Sequence, residues 1–253
     1  MKNVIILGSG RSGTSMVAGC LAKAGYDMGE DLLPANPSNP KGFFESTEVN
    51  TLNEDILESV APVRPSFLGG YFHRHIPLKH QRWLLALPQD VKPKGDRRIN
   101  ARIANLVARA PFCFKDPRFC YTLPVWRAFL KETVCIVVYR EPTATAKSIV
   151  KECKDSEPLH TLSMRRSRAL KVWQSMYSRV LEMSEGQSDW LFVHFRQVLE
   201  PAGLDTISDV TGAMVDRSFP DIRLRRSVPS GSNPPAVEHI YDQLNIRSGF
   251  TGC

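Results

Sequence analysis

The sequence is short of features that would place it in several broad classes. It holds six cysteines in 253 residues, but no two stand as C-x-x-C and no histidine pair has zinc spacing. A structural metal is therefore not expected. Cys20, Cys113, Cys120, Cys135, Cys153 and Cys253 fall mostly inside apolar runs, where cysteine acts as a small hydrophobe, so reduced thiols in a cytoplasmic compartment are expected. No apolar stretch approaches the roughly 20 residues of a bilayer span. The opening run Val4–Leu7 is too short for a signal-peptide core, and glycines follow it at once. No internal repeat or low-complexity tract is present. A hydrophobic content of 42% and a charged content of 23% are ordinary for a chain that buries a core. The net charge of +7 fits an anionic ligand, and fits a solvated surface of Lys and Arg equally.

What the sequence does have is an alternation of apolar runs and helical patterns. Val4–Leu7 predicts a strand buried on both faces, followed by a glycine turn and a helix over Thr14–Ala24 that Gly25 closes. Pro34–Gly42 is a loop, and Glu48–Val60 and Ile99–Arg109 are helical. Phe112–Phe114 is a short strand, and the β-branched run Thr133–Tyr139 is the clearest strand of all. A helix follows to about Cys153, a long one spans Leu159–Met183, and Trp190–Phe195 is a further strand. The remainder is looser. This order predicts one α/β domain over residues 1–253: three layers, a mainly parallel sheet, and a P-loop-like loop after the first strand. Residues 64–95, irregular and rich in His, Arg and Pro, read as a substrate-facing insertion or lid. Ligands on such sheets bind beyond the carboxyl ends of the strands, so Gly8, Lys115 and Arg140 should converge on one edge.

The segment Gly8-Ser9-Gly10-Arg11-Ser12-Gly13-Thr14-Ser15 has the makings of an anion cradle. Glycines let amide hydrogens turn inward, the next helix aims its positive end there, and the hydroxyls and Arg11 add donors. Three ligands compete for it. A dinucleotide needs an acid-ended second strand, and no strand-like run precedes the acids of Tyr26–Leu33. A kinase or nucleotide triphosphatase needs Lys where Thr14 stands. A phosphosulfate needs no metal, because the migrating group carries a single charge and the demand falls on the leaving phosphate, which backbone donors and one cation suit.

At these residues the chain resembles the sulfotransferases that use 3′-phosphoadenosine 5′-phosphosulfate (PAPS), bacterial members above all and protein-tyrosine sulfotransferases more distantly. Arg11-Ser12-Gly13-Thr14-Ser15, with Gly10, resembles the family's loop for the 5′-phosphosulfate. Arg140 and Ser148, an Arg ending a strand and a Ser eight residues on, resemble its 3′-phosphate site. Lys115-Asp116-Pro117 is similar to a motif supplying a catalytic-site lysine, and Asn39-Pro40-Lys41-Gly42-Phe43-Phe44-Glu45 to a stretch frequent in bacterial members. The resemblance implies sulfuryl transfer to a hydroxyl or amine acceptor by in-line displacement, with PAP as product and no metal required. Arg11 and Lys115 would stabilise the leaving phosphate and the sulfuryl oxygens. Glu45 is the first candidate base, because an aromatic pair precedes it; Glu30 is the rival, in Gly29-Glu30-Asp31, and His73 and His75 are weaker. Arg225 and Arg226, with Arg223, resemble a basic segment that closes over the nucleotide. The chain departs from the pattern at His194-Phe195-Arg196, where relatives carry an aromatic–acid pair. The arginines of residues 165–179 suit a solvated helix face better than an entrance. The acceptor stays open among small molecule, carbohydrate, lipid and peptide, and no nucleic-acid partner or membrane span is expected. A P-loop kinase and a non-catalytic nucleotide-binding module are the alternatives.

Overall fold

The structure, a computed structural model, describes residues 1–67, 69–224, 228–229 and 231–252. The chain opens with β1 (Asn3–Leu7) and α1 (Thr14–Leu21), then α2 (Thr47–Glu58), a single helical turn α3 (Gly69–Phe72) and α4 (Arg97–Val107). β2 (Cys113–Lys115), α5 (Phe119–Trp126), β3 (Thr133–Tyr139), α6 (Pro142–Asp155), α7 (Arg166–Met183) and β4 (Trp190–His194) follow, and α8 (Pro201–Thr211) and α9 (Pro235–Ser248) complete it.

The four strands form one parallel sheet in the order β2-β1-β3-β4. Alternate residues of each strand feed different cores, which is the period of two expressed as layers. Ile5, Leu7, Phe114, Val137 and Tyr139 face one side with residues of α2, α4, α5, α6, α7 and α9. Val4, Ile6, Val134, Ile136 and Val138 face the other with residues of α1 and α8. Every residue of β3 is buried, as its unbroken apolar run predicts. Each such side chain taken from water contributes about 1.5–3 kcal/mol.

The expected three-layer α/β fold is therefore present, with displaced boundaries. Lys115 ends β2 rather than following it, in register with Ile6 of β1. The long helix begins at Arg166, not Leu159. Residues 157–159 form a separate turn, and Gln81 donates to the Pro158 carbonyl at 2.7 Å and the Thr161 hydroxyl at 2.9 Å, holding the stretch between against residues of the irregular region. Besides the single turn α3, three helices stand where none is expected. α5 carries Pro124, which reads as a breaker, yet it starts in the turn where Asp116 accepts the Arg118 amide at 2.8 Å. α8 and α9 both begin on proline, at the first helical position where its missing N–H costs nothing.

The topology prepares a crevice. From β1 the chain crosses to β2 on one side, then returns past β1 to place β3 on the other. The loops leaving β1 and β3 diverge at the carboxyl edge, which is where open sheets of this kind hold ligands.

Candidate active site

The turn after β1 is built by glycines. Gly8 has φ of +143°, and a Cβ there would stand 2.1 Å from the Val138 carbonyl oxygen, so only glycine lets the chain leave β1 against β3. Gly13, with φ of +100°, is the N-cap of α1, and a Cβ on it would strike the Phe195 ring at 2.7 Å. Arg11 occupies the left-handed region with φ of 71°, a conformation uncommon for a non-glycine residue. From inside, the Tyr177 hydroxyl of α7 braces the turn. It accepts from the Ser9 amide at 3.0 Å and lies 3.1 Å from the Ser12 hydroxyl and 2.7 Å from the Val138 carbonyl. Burial pushes the Tyr177 phenol far above its usual range, so it stays protonated there.

A cavity of about 440 Å³ opens at this edge of the sheet. Gly10, Arg11, Gly13, Thr14 and Ser15 line it from the turn, Lys115 and Arg118 from the end of β2, Arg140 and Ser148 from the end of β3 and α6, and Glu45 and Asn50 from the start of α2. The cations Arg11, Lys41, Lys115, Arg118 and Arg140 outnumber the acids Glu45, Glu152 and Asp221 along its wall, which favours an anion. Ser12 is the exception within the turn: its hydroxyl is buried toward Tyr177 and does not line the cavity. The sequence offered no means of telling Ser12 from Thr14 and Ser15.

Two clusters organise the lining. In the first, Lys115 is ion-paired with Glu45 through its ammonium, which also lies 3.3 Å from the Ser15 hydroxyl. Asn50 donates to the other Glu45 oxygen at 3.0 Å, and Asn39 donates to Ser15 at 3.1 Å. Of the aromatic pair before Glu45, Phe44 packs edge-on against Phe219 at 5.5 Å, so the immediate partner of the carboxylate is a charge, not that ring. In the second cluster, Arg11 donates to Ser148 at 3.2 Å and to the Ser38 carbonyl at 3.1 Å, and its guanidinium lies 3.5 Å from Glu152. Arg140 stacks over the Phe195 ring, 4.8 Å from its centroid, and that ring is the one lying against Gly13. Arg140 therefore points to the turn, not away from it.

The other candidates are distributed as follows. Glu30 is not brought to the cavity; it is exposed and forms an ion pair with Arg109 at 2.8 Å. His73 and His75 face one another outside it. Arg225 and Arg226 lie outside the described residues. Of the arginines in residues 165–179, Arg179 is buried, donating to the Pro88 carbonyl at 2.6 Å, whereas Arg165, Arg166 and Arg168 do not line the cavity. Trp173 is fully buried core.

Sequence reasoning misses three supports. Trp83, from the irregular region, lies where a Cβ on Gly10 would stand, 2.5 Å from the ring. Phe195 carries Arg140 in the position where the aromatic–acid pattern is lost. Behind Lys115, Asp116 turns from the cavity into a buried network that Arg118 joins from the wall. Arg118 pairs with Asp116 at 3.0 Å and Glu54 at 2.7 Å, and Asn53 donates to Asp116 at 2.9 Å. Burial works against the Arg118 charge, but the carboxylates of Asp116 and Glu54 outweigh it and keep the guanidinium protonated.

Scans of the sequence against protein-family models and against curated proteins give no match. Solved structures do match. The sulfotransferase domain from the Synechococcus PCC 7002 olefin synthase superposes with a TM-score of 0.52 at 16% identity, over 100% of this chain and 98% of that one. The sulfotransferase domain from the curacin biosynthetic pathway superposes with a TM-score of 0.53 at 14% identity, over 96% and 97%. End to end, then, this chain has the α/β fold of these sulfotransferase domains.

Proposed function

We propose that the chain is a PAPS-dependent sulfotransferase that moves a sulfuryl group to a hydroxyl or amine acceptor. The carrying observation is the meeting of Arg11, Ser15, Lys115, Glu45, Arg140 and Ser148 on one cavity at the carboxyl edge of the sheet. In this reading the turn from Gly10 to Ser15 receives the 5′-phosphosulfate, and Arg140 with Ser148 receives the 3′-phosphate, for which a planar guanidinium is suited. The acceptor oxygen or nitrogen attacks sulfur in line. Its proton passes to Glu45, the bond from sulfur to the bridging phosphate oxygen breaks, and PAP leaves with the electron pair. Lys115 and Arg11 offset the charge that gathers on that oxygen. The Lys115–Glu45 pair supports this pairing of roles, since one ammonium both fixes the base and reaches the transferring group.

Residues 64–95 supply His80 and Trp83 to the cavity wall, which supports an acceptor-facing role for that segment. The acceptor class is left open by the lining, which mixes Leu33, Phe43 and Pro158 with polar groups. Among the described residues, five buried cysteines without disulfides fit a cytoplasmic, reducing setting. The test compares thermal shifts with PAP, magnesium–ATP and NADPH. Only PAP should raise the melting temperature, by mass action on the native state. Arg11→Ala and Arg140→Ala should each weaken PAP binding about tenfold or more and abolish transfer. Intact transfer in Arg11→Ala, or stabilisation by magnesium–ATP alone, would overturn the assignment.

A further inference from the structure

Away from the donor-binding turn, the surface carries apolar side chains that its folding does not explain. Val63, Phe67, Tyr71 and Phe72 are 80%, 84%, 77% and 64% exposed, and Leu78 is 41% exposed. Tyr71 and Phe72 pack edge to face at 5.0 Å on the single turn α3, so they stand out as a pair. Leaving such rings in water forgoes the burial that ordinarily secures aromatic residues, and clustered exposure of this kind marks an interaction surface.

The surroundings of the patch carry one sign of charge. No Asp or Glu occurs from Ser59 to Gln89, nor from Pro158 to Leu181. The two acid-free stretches are joined in space. Arg64 donates to the Ile76 carbonyl at 2.6 Å, the Ser163 amide to the Arg74 carbonyl at 2.7 Å, and Arg168 to the His75 carbonyl at 2.7 Å. Arg74 donates in turn to the His160 carbonyl. These guanidinium groups are held by neutral carbonyl oxygens, so the bonds do not cancel their charge. Acids begin only at the borders, Glu58 and Asp90 around the first stretch and Glu157 and Glu182 around the second, and Asp55 and Glu58 pair with Lys79 at the margin.

We propose that this face docks on an anionic lipid surface. Exposed aromatic rings beside arginines, with no carboxylate among them, match the chemistry of a peripheral interface: rings enter the headgroup boundary while cations meet lipid phosphates. A lipid surface fits better than an acidic protein, because the rings protrude instead of lining a groove with room for a partner's side chains. Both stretches also run into the cavity rim at His80, Pro158 and Leu159. Docking would therefore hold the cavity mouth beside the headgroups. The inference does not depend on which nucleotide the cavity takes.

Sedimentation of the full chain with phosphatidylcholine vesicles, with and without about one-third phosphatidylglycerol, tests it. Binding is expected only to the anionic vesicles and should fall as salt rises. The double variant Phe67→Ser/Phe72→Ser and the double variant Arg74→Glu/Arg168→Glu should each lower the partition coefficient about tenfold. Unchanged melting temperatures control for folding; if the arginine variant melts early, the aromatic variant decides alone, since its side chains are exposed in the native state. Equal binding to neutral vesicles, or undiminished binding by the aromatic variant, overturns the proposal. So does binding to polyglutamate without binding to vesicles, which would make the partner an acidic protein.

Discussion

At the scale of single residues, the site turns on how one lysine is shared. Lys115 sits at the end of β2, almost wholly buried, between Glu45 and Ser15. An isolated ammonium at that depth would be expensive, and the carboxylate beside it makes the charge tolerable. The same arrangement keeps Glu45 at the cavity wall with one oxygen on Lys115 and the other on Asn50. If Glu45 removes the acceptor proton, Glu45→Gln keeps the shape and loses the base. Its turnover number should fall about 10²- to 10⁴-fold while PAP affinity changes little, and steady-state kinetics beside PAP titration would read both. A turnover number near that of the unaltered chain would send the search for the base elsewhere in the cavity. Glu30 is a poor substitute, being exposed and committed to Arg109. The sequence put Glu45 ahead of Glu30 only through the aromatic pair before it; the structure adds that Glu45 lines the cavity and Glu30 does not.

At the scale of elements, the cavity depends on α2 and α5 staying locked together. Glu54 on α2 is fully buried between Arg118, which immediately precedes α5, and Arg82 at 3.4 Å. Asn53 of the same helix accepts from Thr122 at 2.7 Å and Trp126 at 3.0 Å, both on α5. Because α2 carries Asn50 and begins two residues after Glu45, and because Arg118 follows Lys115 by three residues, this polar seam positions the Lys115–Glu45 pair from behind. Glu54→Ala would leave two buried guanidinium groups short of their counter-charge. A loss of about 3–5 kcal/mol in unfolding free energy is expected by denaturant titration. A change under about 1 kcal/mol would mean that water or rearrangement replaces the seam. The seam also explains why the Lys-Asp-Pro-Arg run is only half legible: Lys115 serves the cavity, Asp116 serves the packing, and Arg118 takes part in both.

At the scale of the whole molecule, burial of the thiols ties chemistry to global folding. Burial pushes Cys20, Cys135 and Cys153 up to about 12, and raises Cys113 and Cys120 as well. Unfolded thiols ionise near about 8.5, so the folded state binds more protons above that pH. Stability from these groups is full below about pH 8.5 and is lost as pH rises toward about 12. At pH about 8 a thiol reagent should therefore label these five at the rate of global unfolding, and denaturant should expose them together. Rapid labelling of any one in the native chain would reveal a local opening. The alternation of apolar strands and helices, the glycines after β1 and the strand-end positions of Arg140 and Lys115 were all readable along the chain, because period, turn chemistry and buried apolar runs are local properties. The strand order, the inward turn of Ser12, the stacking of Arg140 on Phe195 and the exposure of Glu30 were not. Each depends on which distant segment arrives opposite, and that is set by packing the two faces of the sheet, a choice no local pattern of residues contains.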